Sequence, residues 1–168
     1  GLKAATRPFC LKIRSDMIIE GLDFIKIFCG KPDFPKNKGG FFRHAIVTNN
    51  FSSRNTETIS KKLHNHYLLF HPSDHVQFGY TEDIIKFWNV PFQTDSDAYY
   101  FLEQAFPNRW RMAELSRLAP EQHICVNAIC KSGRKIDIKH YADYTPELRK
   151  LSDHYLDTYF ISIPDKQF

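Results

Sequence analysis

The chain has 168 residues, of which 42% are hydrophobic and 15% aromatic, and its formal net charge is +4 with the eight His counted as neutral. This length predicts one domain, or one domain with an extension, and the apolar fraction excludes a disordered chain. The mild positive charge is far from the clustered Lys and Arg of a dedicated nucleic-acid-binding protein.

The cysteines and the apolar runs indicate the compartment. Cys10, Cys29, Cys125 and Cys130 show no Cys-x-x-Cys spacing, which predicts free thiols in a reducing compartment. No secretory signal and no run of 18 apolar residues is visible, so the sequence predicts a cytoplasmic protein without a membrane span. Gly1 stands where an initiator Met would be expected, which indicates a fragment of something longer.

Strand and turn signals dominate the first half of the chain. Pro and Gly mark the loop and turn, and β-branched and aromatic residues mark the strands. A short helix capped by Asn55 or Thr56 is expected to end at Leu63. The other predicted elements are a strand at 24–29, a loop at 30–40, a strand at 41–47, and a hairpin of strands 66–70 and 75–80 joined by a turn at 71–74.

Helix signals follow the hairpin. Thr81 is a candidate N-cap, with Glu82 in the first turn, and Pro91 ends the predicted helix. A second helix is expected to begin at Asp95 or Asp97 and a third at Asn108.

The last third alternates apolar and polar residues with a period of two. Residues 123–130 and 135–142 predict the two arms of a second hairpin, hinged at Ser132–Gly133, where Gly133 is expected to have a positive φ. Residues 155–163 predict a central strand because they are apolar on both sides. This order of elements predicts an α+β fold, in which short helices cover one face of an antiparallel sheet.

Four short segments in this order resemble the PAS-domain superfamily, in particular its bacterial sensor-type domains. The resemblance spans about residues 64–164. Its segments are Phe78-Gly79-Tyr80-Thr81-Glu82-Asp83-Ile84, Ala105-Phe106-Pro107-Asn108-Arg109-Trp110-Arg111, Cys130-Lys131-Ser132-Gly133-Arg134 and Phe160-Ile161-Ser162-Ile163.

The resemblance implies a PAS-like sensory domain at 56–168 that follows an N-terminal extension or cap at 1–55. Members bind a small molecule, haem or flavin between sheet and helices, or bind nothing, so the cofactor stays unknown. The implied function is small-molecule sensing and dimerisation in a bacterial signalling or transcription-regulatory protein. The partners would be a second copy in a homodimer and a kinase or DNA-binding output domain outside this fragment.

Aromatic side chains near the predicted helices are the candidate ligand contacts, since planar ligands pack on aromatic rings. His140 joins them because it falls on the apolar register of its predicted strand. Ordinary core packing explains the same residues equally well. The candidate set is Tyr80, Phe87, Trp88, Tyr100, Phe101, Trp110 and His140.

Two other functions stay open. His64 and His66 form a His-x-His pair, which on a strand places both rings on one face, as a divalent metal requires. This pair favours a metal-dependent nuclease or strand-transfer enzyme as an alternative. A ligand-free protein interaction module is the other alternative.

Overall fold

Four strands form one mixed sheet in the computed structural model, which describes residues 1–30, 41–50, 68–105 and 115–164. Their order across the sheet is β1-β3-β2-β4. Strand β3 is antiparallel to both of its neighbours, whereas β2 and β4 are parallel. The α+β class is confirmed, but the sheet is not purely antiparallel as predicted. The strands are β1 (Phe9–Ile13), β2 (Ile46–Asn49), β3 (Val76–Tyr80) and β4 (Phe160–Ile163).

The helices are short, apart from the last two. Both of these begin with proline, which suits the first helical position because its missing N–H would be unpaired there anyway. A single 3₁₀ turn, Leu2–Ala4, precedes β1. The helices are α1 (Asp23–Cys29), α2 (Thr81–Trp88), α3 (Asp95–Ala98), α4 (Tyr100–Glu103), α5 (Pro120–Cys130) and α6 (Pro146–Tyr159).

Helices cover both faces of the sheet, so the prediction of one covered face is wrong. Successive strand residues point to opposite faces. Ile46 and Phe160 therefore belong to the larger core, which includes buried residues of α2, α5 and α6. Val47 and Ile161 belong to a second core, which includes Phe24 of α1.

The predicted hairpin at 123–142 is wrong, because its first arm is helix α5. Gln122, Cys125, Val126 and Ile129 are all buried, and their spacing of three and four residues is that of one helical face. Nearly every second residue in this segment is also apolar, so the strand period was satisfied by accident. Burial of a wide helical face against the core outweighs the alternating pattern, and the segment folds as a helix.

The predicted strand at 155–163 is correct only at its end. Tyr155, Leu156 and Tyr159 are buried on one face of α6, and only Phe160–Ile163 forms a strand. The Thr145 hydroxyl caps α6 by accepting a hydrogen bond from the backbone N–H of Leu148 at 3.1 Å. The run of apolar and aromatic residues therefore crosses a helix-to-strand boundary.

Two further differences concern the first half of the chain. Residues 24–29 lie in α1 instead of a strand, because Phe24, Ile27 and Phe28 share the helical face that packs in the second core. The strand expected at 41–47 is Ile46–Asn49, and β1 was not predicted at all. Leu68, Leu69 and Phe70 are buried without forming a strand.

The second predicted strand of the first hairpin and the helix after it are confirmed as β3 and α2. The predicted loop at 30–40, the helix ending at Leu63 and the helix beginning at Asn108 fall mainly or wholly outside the described residues.

The predicted boundary at residue 55 also falls outside the described residues and stays a prediction. The sheet itself takes strands from both sides of that position, since β1 and β2 pair with β3.

Candidate functional site

Charged side chains gather at one edge of the sheet. The registers place Ile13, Asn49 and Ile163, the last residues of β1, β2 and β4, at the same edge as Val76, the first residue of β3. This edge includes the carboxyl ends of the parallel pair β2 and β4. Ligands of open α/β sheets bind outside the carboxyl ends of their parallel strands.

Ser73, in the loop that enters β3, is the buried centre of this edge. Its hydroxyl donates to Asn49 Oδ1 at 2.6 Å, and its backbone carbonyl accepts from Thr48 Oγ1 at 2.8 Å and from Gln77 Nε2 at 2.9 Å. All four residues are buried. Buried polar groups that are all hydrogen-bonded hold a loop in one conformation, which fixes the backbone on either side of Ser73.

Lys12 is anchored beside this loop. Its ammonium donates to the backbone carbonyl of Asp74, lies 3.5 Å from the Asp74 carboxylate, and sits 4.4 Å from the centre of the Trp88 ring. Burial lowers the pKa of Lys12, and the negative charge of Asp74 opposes that shift. The Lys12 charge is therefore held in place by an aromatic face and a carboxylate.

Arg14 and Asp16 form a bidentate ion pair just beyond the end of β1. The two guanidinium–carboxylate distances are 3.0 and 2.9 Å. Their hydrogen bond raises the pKa of Arg14 and lowers that of Asp16. The backbone N–H of Arg14 donates to the carbonyl of His75 at 3.0 Å, so this pair is attached to the same loop.

His71 and Glu121 connect the loop to the start of α5. His71 Nε2 lies 3.2 Å from the Glu121 carboxylate, and the imidazole is almost fully buried. His71 Nδ1 has no hydrogen-bond partner among the residues that the structure describes. An imidazole whose one nitrogen faces a carboxylate is held in one orientation, and here the other nitrogen, Nδ1, is buried.

The backbone before His71 is fixed by buried side chains. Gln122 Nε2 donates to the carbonyl of Leu69 at 2.9 Å, and the Ser152 hydroxyl accepts from the N–H of Phe70 at 2.7 Å. Phe70 has a φ of 55°, a left-handed conformation that costs a bulky residue energy. Such strain persists only where the surroundings enforce it, and it is concentrated at functional sites.

Together these side chains form a group that we call the edge cluster. It combines two cations, three carboxylates and two imidazoles. Lys12 and Arg14 each interact electrostatically with both Asp74 and Glu121, and His75 interacts with Asp16. His75 Nε2 lies 3.8 Å from Asp74 Oδ1. The edge cluster consists of Lys12, Arg14, Asp16, His71, Asp74, His75 and Glu121.

The edge cluster offers both signs of charge together with two imidazoles. Carboxylates accept hydrogen bonds from hydroxyls and can act as general bases, and a guanidinium binds anionic oxygens. Within the described segments, no group of three or more His, Cys, Asp or Glu is placed to hold a metal ion. The predicted pair His64 and His66 lies outside those segments.

The predicted ligand-binding residues lie in three different places. Trp88 reaches the edge cluster, where its indole N–H donates to Gln77 at 2.7 Å. Tyr80 stacks on His44 at the opposite end of β3, with ring centres 3.9 Å apart. Phe87 is buried in the larger core.

The remaining predicted residues lie around a small third core or outside the described segments. Phe101 belongs to that core, Tyr100 packs against it, and the His140 ring lies 5.9 Å from that of Phe101. Trp110 lies outside the described residues. The structure thus does not gather the predicted set around one ligand, and ligand binding by these side chains stays a prediction.

The edge cluster was not predicted, because its members come from distant segments. The sequence predicted a turn at 71–74, which includes His71 and Asp74, and placed His75 at the start of a strand. The signal in the sequence was a concentration of ionisable residues. Residues 71–75 contain two His and an Asp next to a Pro, directly before a strand. An Arg-Ser-Asp sequence at 14–16 also follows a strand-like run.

Comparison with protein families gives one match. The family model described as WavE lipopolysaccharide synthesis matches residues 1–165. No curated protein and no solved structure matches the chain. The matched range includes every residue of the edge cluster.

Proposed function

The chain belongs to the WavE lipopolysaccharide synthesis family, and on that premise we propose that it is part of an enzyme that transfers a sugar during assembly of lipopolysaccharide. The edge cluster is its proposed active site. The family overturns the resemblance to PAS domains, and with it the predicted sensing and transcription-regulatory function. It gives no support to the nuclease and interaction-module alternatives. The predicted homodimer is untested and stays a prediction.

No helix among the described residues has the length and apolar character needed to cross a membrane. The predicted cytoplasmic location stays a prediction.

The observation that carries the proposal is the carboxylate pair Asp74 and Glu121, each beside an imidazole at one edge of the sheet. Sugar transfer needs a group that takes a proton from the acceptor hydroxyl. The hydroxyl oxygen then bonds to the anomeric carbon of an activated sugar donor, and the leaving group departs with the bonding electrons. A saccharide also presents many hydroxyls, which carboxylates and imidazoles bind by hydrogen bonds.

Asp74 is the better candidate for the proton acceptor. The side chains of Asp74 and Glu121 are 19% and 20% exposed, so a substrate can reach either, and the choice rests on their other contacts. The Asp74 backbone is fixed by Lys12 and by the bonds of Ser73, which satisfies the need for a preorganised group. Glu121 faces the buried His71 and is the candidate for holding that imidazole in orientation.

Complementation tests this function. In a strain that lacks the gene, full-length protein carrying Asp74→Asn is expected not to restore the lipopolysaccharide, as read from gel mobility and the mass of the released saccharide. Glu121→Gln is expected to restore it only partly. Asp137→Asn changes an exposed carboxylate in the same chemical way and is the matched control, expected to restore it fully.

Protein levels and circular dichroism of the variants separate loss of function from loss of folding. Wild-type lipopolysaccharide with Asp74→Asn at normal abundance would rule out this carboxylate as the proton acceptor.

A further inference from the structure

Arg14 is placed to meet a ligand that enters the edge cluster. It lies two residues after Lys12, just beyond the end of β1. Its backbone N–H is fixed to the carbonyl of His75. Its guanidinium interacts electrostatically with Asp74, the proposed proton acceptor, and with Glu121.

The present partner of Arg14 is easy to replace. The side chains of Arg14 and Asp16 are 43% and 62% exposed. An ion pair open to water contributes little net free energy, because both charges are well solvated when they separate. Arg14 can therefore exchange the Asp16 carboxylate for another anion, and the released Asp16 side chain can rotate toward the solvent.

Lys12 contrasts with Arg14 in this respect. Its side chain is only 17% exposed and is tied to Asp74 and the Trp88 ring. Moving Lys12 would leave a partly buried carbonyl and a carboxylate without their cation, which costs more than separating an exposed pair. The edge cluster thus holds one fixed cation on β1, Lys12, and one exchangeable cation just beyond its end, Arg14.

We propose that Arg14 binds the phosphate of a phosphorylated sugar substrate, and that Asp16 occupies the guanidinium until the phosphate displaces it. This inference rests on the proposed sugar transfer and names its substrate class. A guanidinium donates two parallel hydrogen bonds to a carboxylate or to a phosphate with the same geometry, so the pair seen with Asp16 is a stand-in for the ligand. Lys12 supplies the second positive charge close by.

The phosphate can come from two sources. A nucleoside diphosphate sugar carries it on the donor as the leaving group, and a phosphorylated saccharide carries it on the acceptor. Both would present the same anionic oxygens to Arg14. Binding measurements with separate probes distinguish the two.

Isothermal titration of the purified full-length protein with inorganic pyrophosphate, uridine diphosphate and glucose 6-phosphate provides the test. Arg14→Gln is expected to weaken binding of the preferred probe about tenfold or more, because the variant loses a charge-assisted bidentate pair. Asp16→Asn is expected to tighten it about threefold, because the ligand no longer displaces a carboxylate.

Lys26→Gln and Asp23→Asn are matched controls, since they change an exposed Lys–Asp pair of 2.8 Å on α1, which packs on the other face of the sheet. Both are expected to bind like the wild type. Preference for uridine diphosphate assigns the phosphate to the donor, and preference for glucose 6-phosphate assigns it to a phosphorylated acceptor.

Three results would overturn the inference: no binding of any probe by the wild type, unchanged binding by Arg14→Gln, or weaker binding by Asp16→Asn. The proposed function fails separately. If Asp74→Asn restores the lipopolysaccharide while phosphate binding depends on Arg14, the site binds phosphate without the proposed proton transfer. If Asp74→Asn fails to restore it while Arg14→Gln binds normally, only the phosphate site is wrong.

Discussion

The indole N–H of Trp88 donates a 2.7 Å hydrogen bond to the side-chain carbonyl of Gln77, a residue with no exposed surface. The amide nitrogen of the same Gln77 donates to the backbone carbonyl of Ser73. Trp88 therefore acts through Gln77 on the loop that carries Asp74, and the face of its ring also contacts Lys12. Trp88, which the sequence predicted as a ligand contact, therefore stabilises the loop and the Lys12 ammonium of the edge cluster.

Replacing Trp88 by Phe tests this support. The variant keeps an aromatic ring but leaves the Gln77 carbonyl buried without its donor, which is expected to cost about 1–3 kcal/mol in the free energy of unfolding. Urea denaturation measures it. Tyr99→Phe removes an exposed hydroxyl and is the control, expected to change the stability by less than about 0.5 kcal/mol. Equal stability of the two variants would mean that the Trp88–Gln77 bond does not hold the loop.

Asp83 at the start of α2 fixes the approach to β2. Its buried carboxylate accepts the backbone N–H groups of Arg43 and His44, each at 3.0 Å. Asp83→Asn turns one acceptor into a donor that faces an N–H, and is expected to lower the free energy of unfolding by about 1.5–3 kcal/mol.

Glu82→Gln is the neighbouring control, because Glu82 makes an exposed ion pair with the Arg43 guanidinium at 3.0 Å. Its expected cost is below about 1 kcal/mol. Thermal unfolding of both variants under one set of conditions provides the comparison. A larger loss for Glu82→Gln than for Asp83→Asn would contradict the assignment.

The partly buried ammonium of Lys12 predicts a pH dependence with a definite sign. Burial lowers its pKa in the folded protein from the ordinary value of 10.5. Between the lowered and the ordinary pKa, the unfolded chain binds more protons than the folded one, so folding gains stability as the pH rises. The wild type is therefore expected to become more stable relative to Lys12→Met as the pH rises toward 10.5.

Denaturant titrations of both proteins at a series of alkaline pH values measure this difference. Lys150→Met removes an exposed ammonium on α6 and controls for the general effect of the substitution. A difference between wild type and Lys12→Met that falls with rising pH would show that Lys12 is not buried as described.

Gly133 has a φ of 84° just after the end of α5, where its N–H donates to the carbonyl of Cys130 at 3.0 Å. A β-branched residue resists this conformation, so Gly133→Val is expected to destabilise the protein by about 1–2 kcal/mol. Gly133→Asn is the control with the smaller loss, because Asn tolerates left-handed backbone better. Both are measured by thermal unfolding, and equal losses would point to a cause other than backbone conformation.

The sequence identified the need for a positive φ at Gly133 but assigned it to the wrong structure. A glycine in left-handed conformation serves a hairpin turn and a helix end equally well, so the residue alone does not distinguish them. Strand β3 and helix α2 were predictable because the polar and apolar pattern changes period sharply at Thr81. Helix α5 was not predictable, because its apolar residues fit the period of a strand and the period of a helix at once.

The edge cluster could not be predicted from the sequence, for a different reason. Its members lie on β1, on the loop before β3 and at the start of α5, and only the sheet registers bring them together. Local patterns carry no information on that pairing. The single local sign was the concentration of His and Asp at 71–75, which also fits an ordinary turn.

The parallel pairing of β2 with β4 joins distant segments of the chain, since Ile46 is paired with Phe160. During synthesis on the ribosome, β2 cannot pair with β4 until residues 160–163 have emerged. Until then, the backbone edge of Ile46 and Val47 is open to pairing with other nascent chains. Expression is therefore expected to depend on chaperones and on temperature, since pairing between distant residues slows folding.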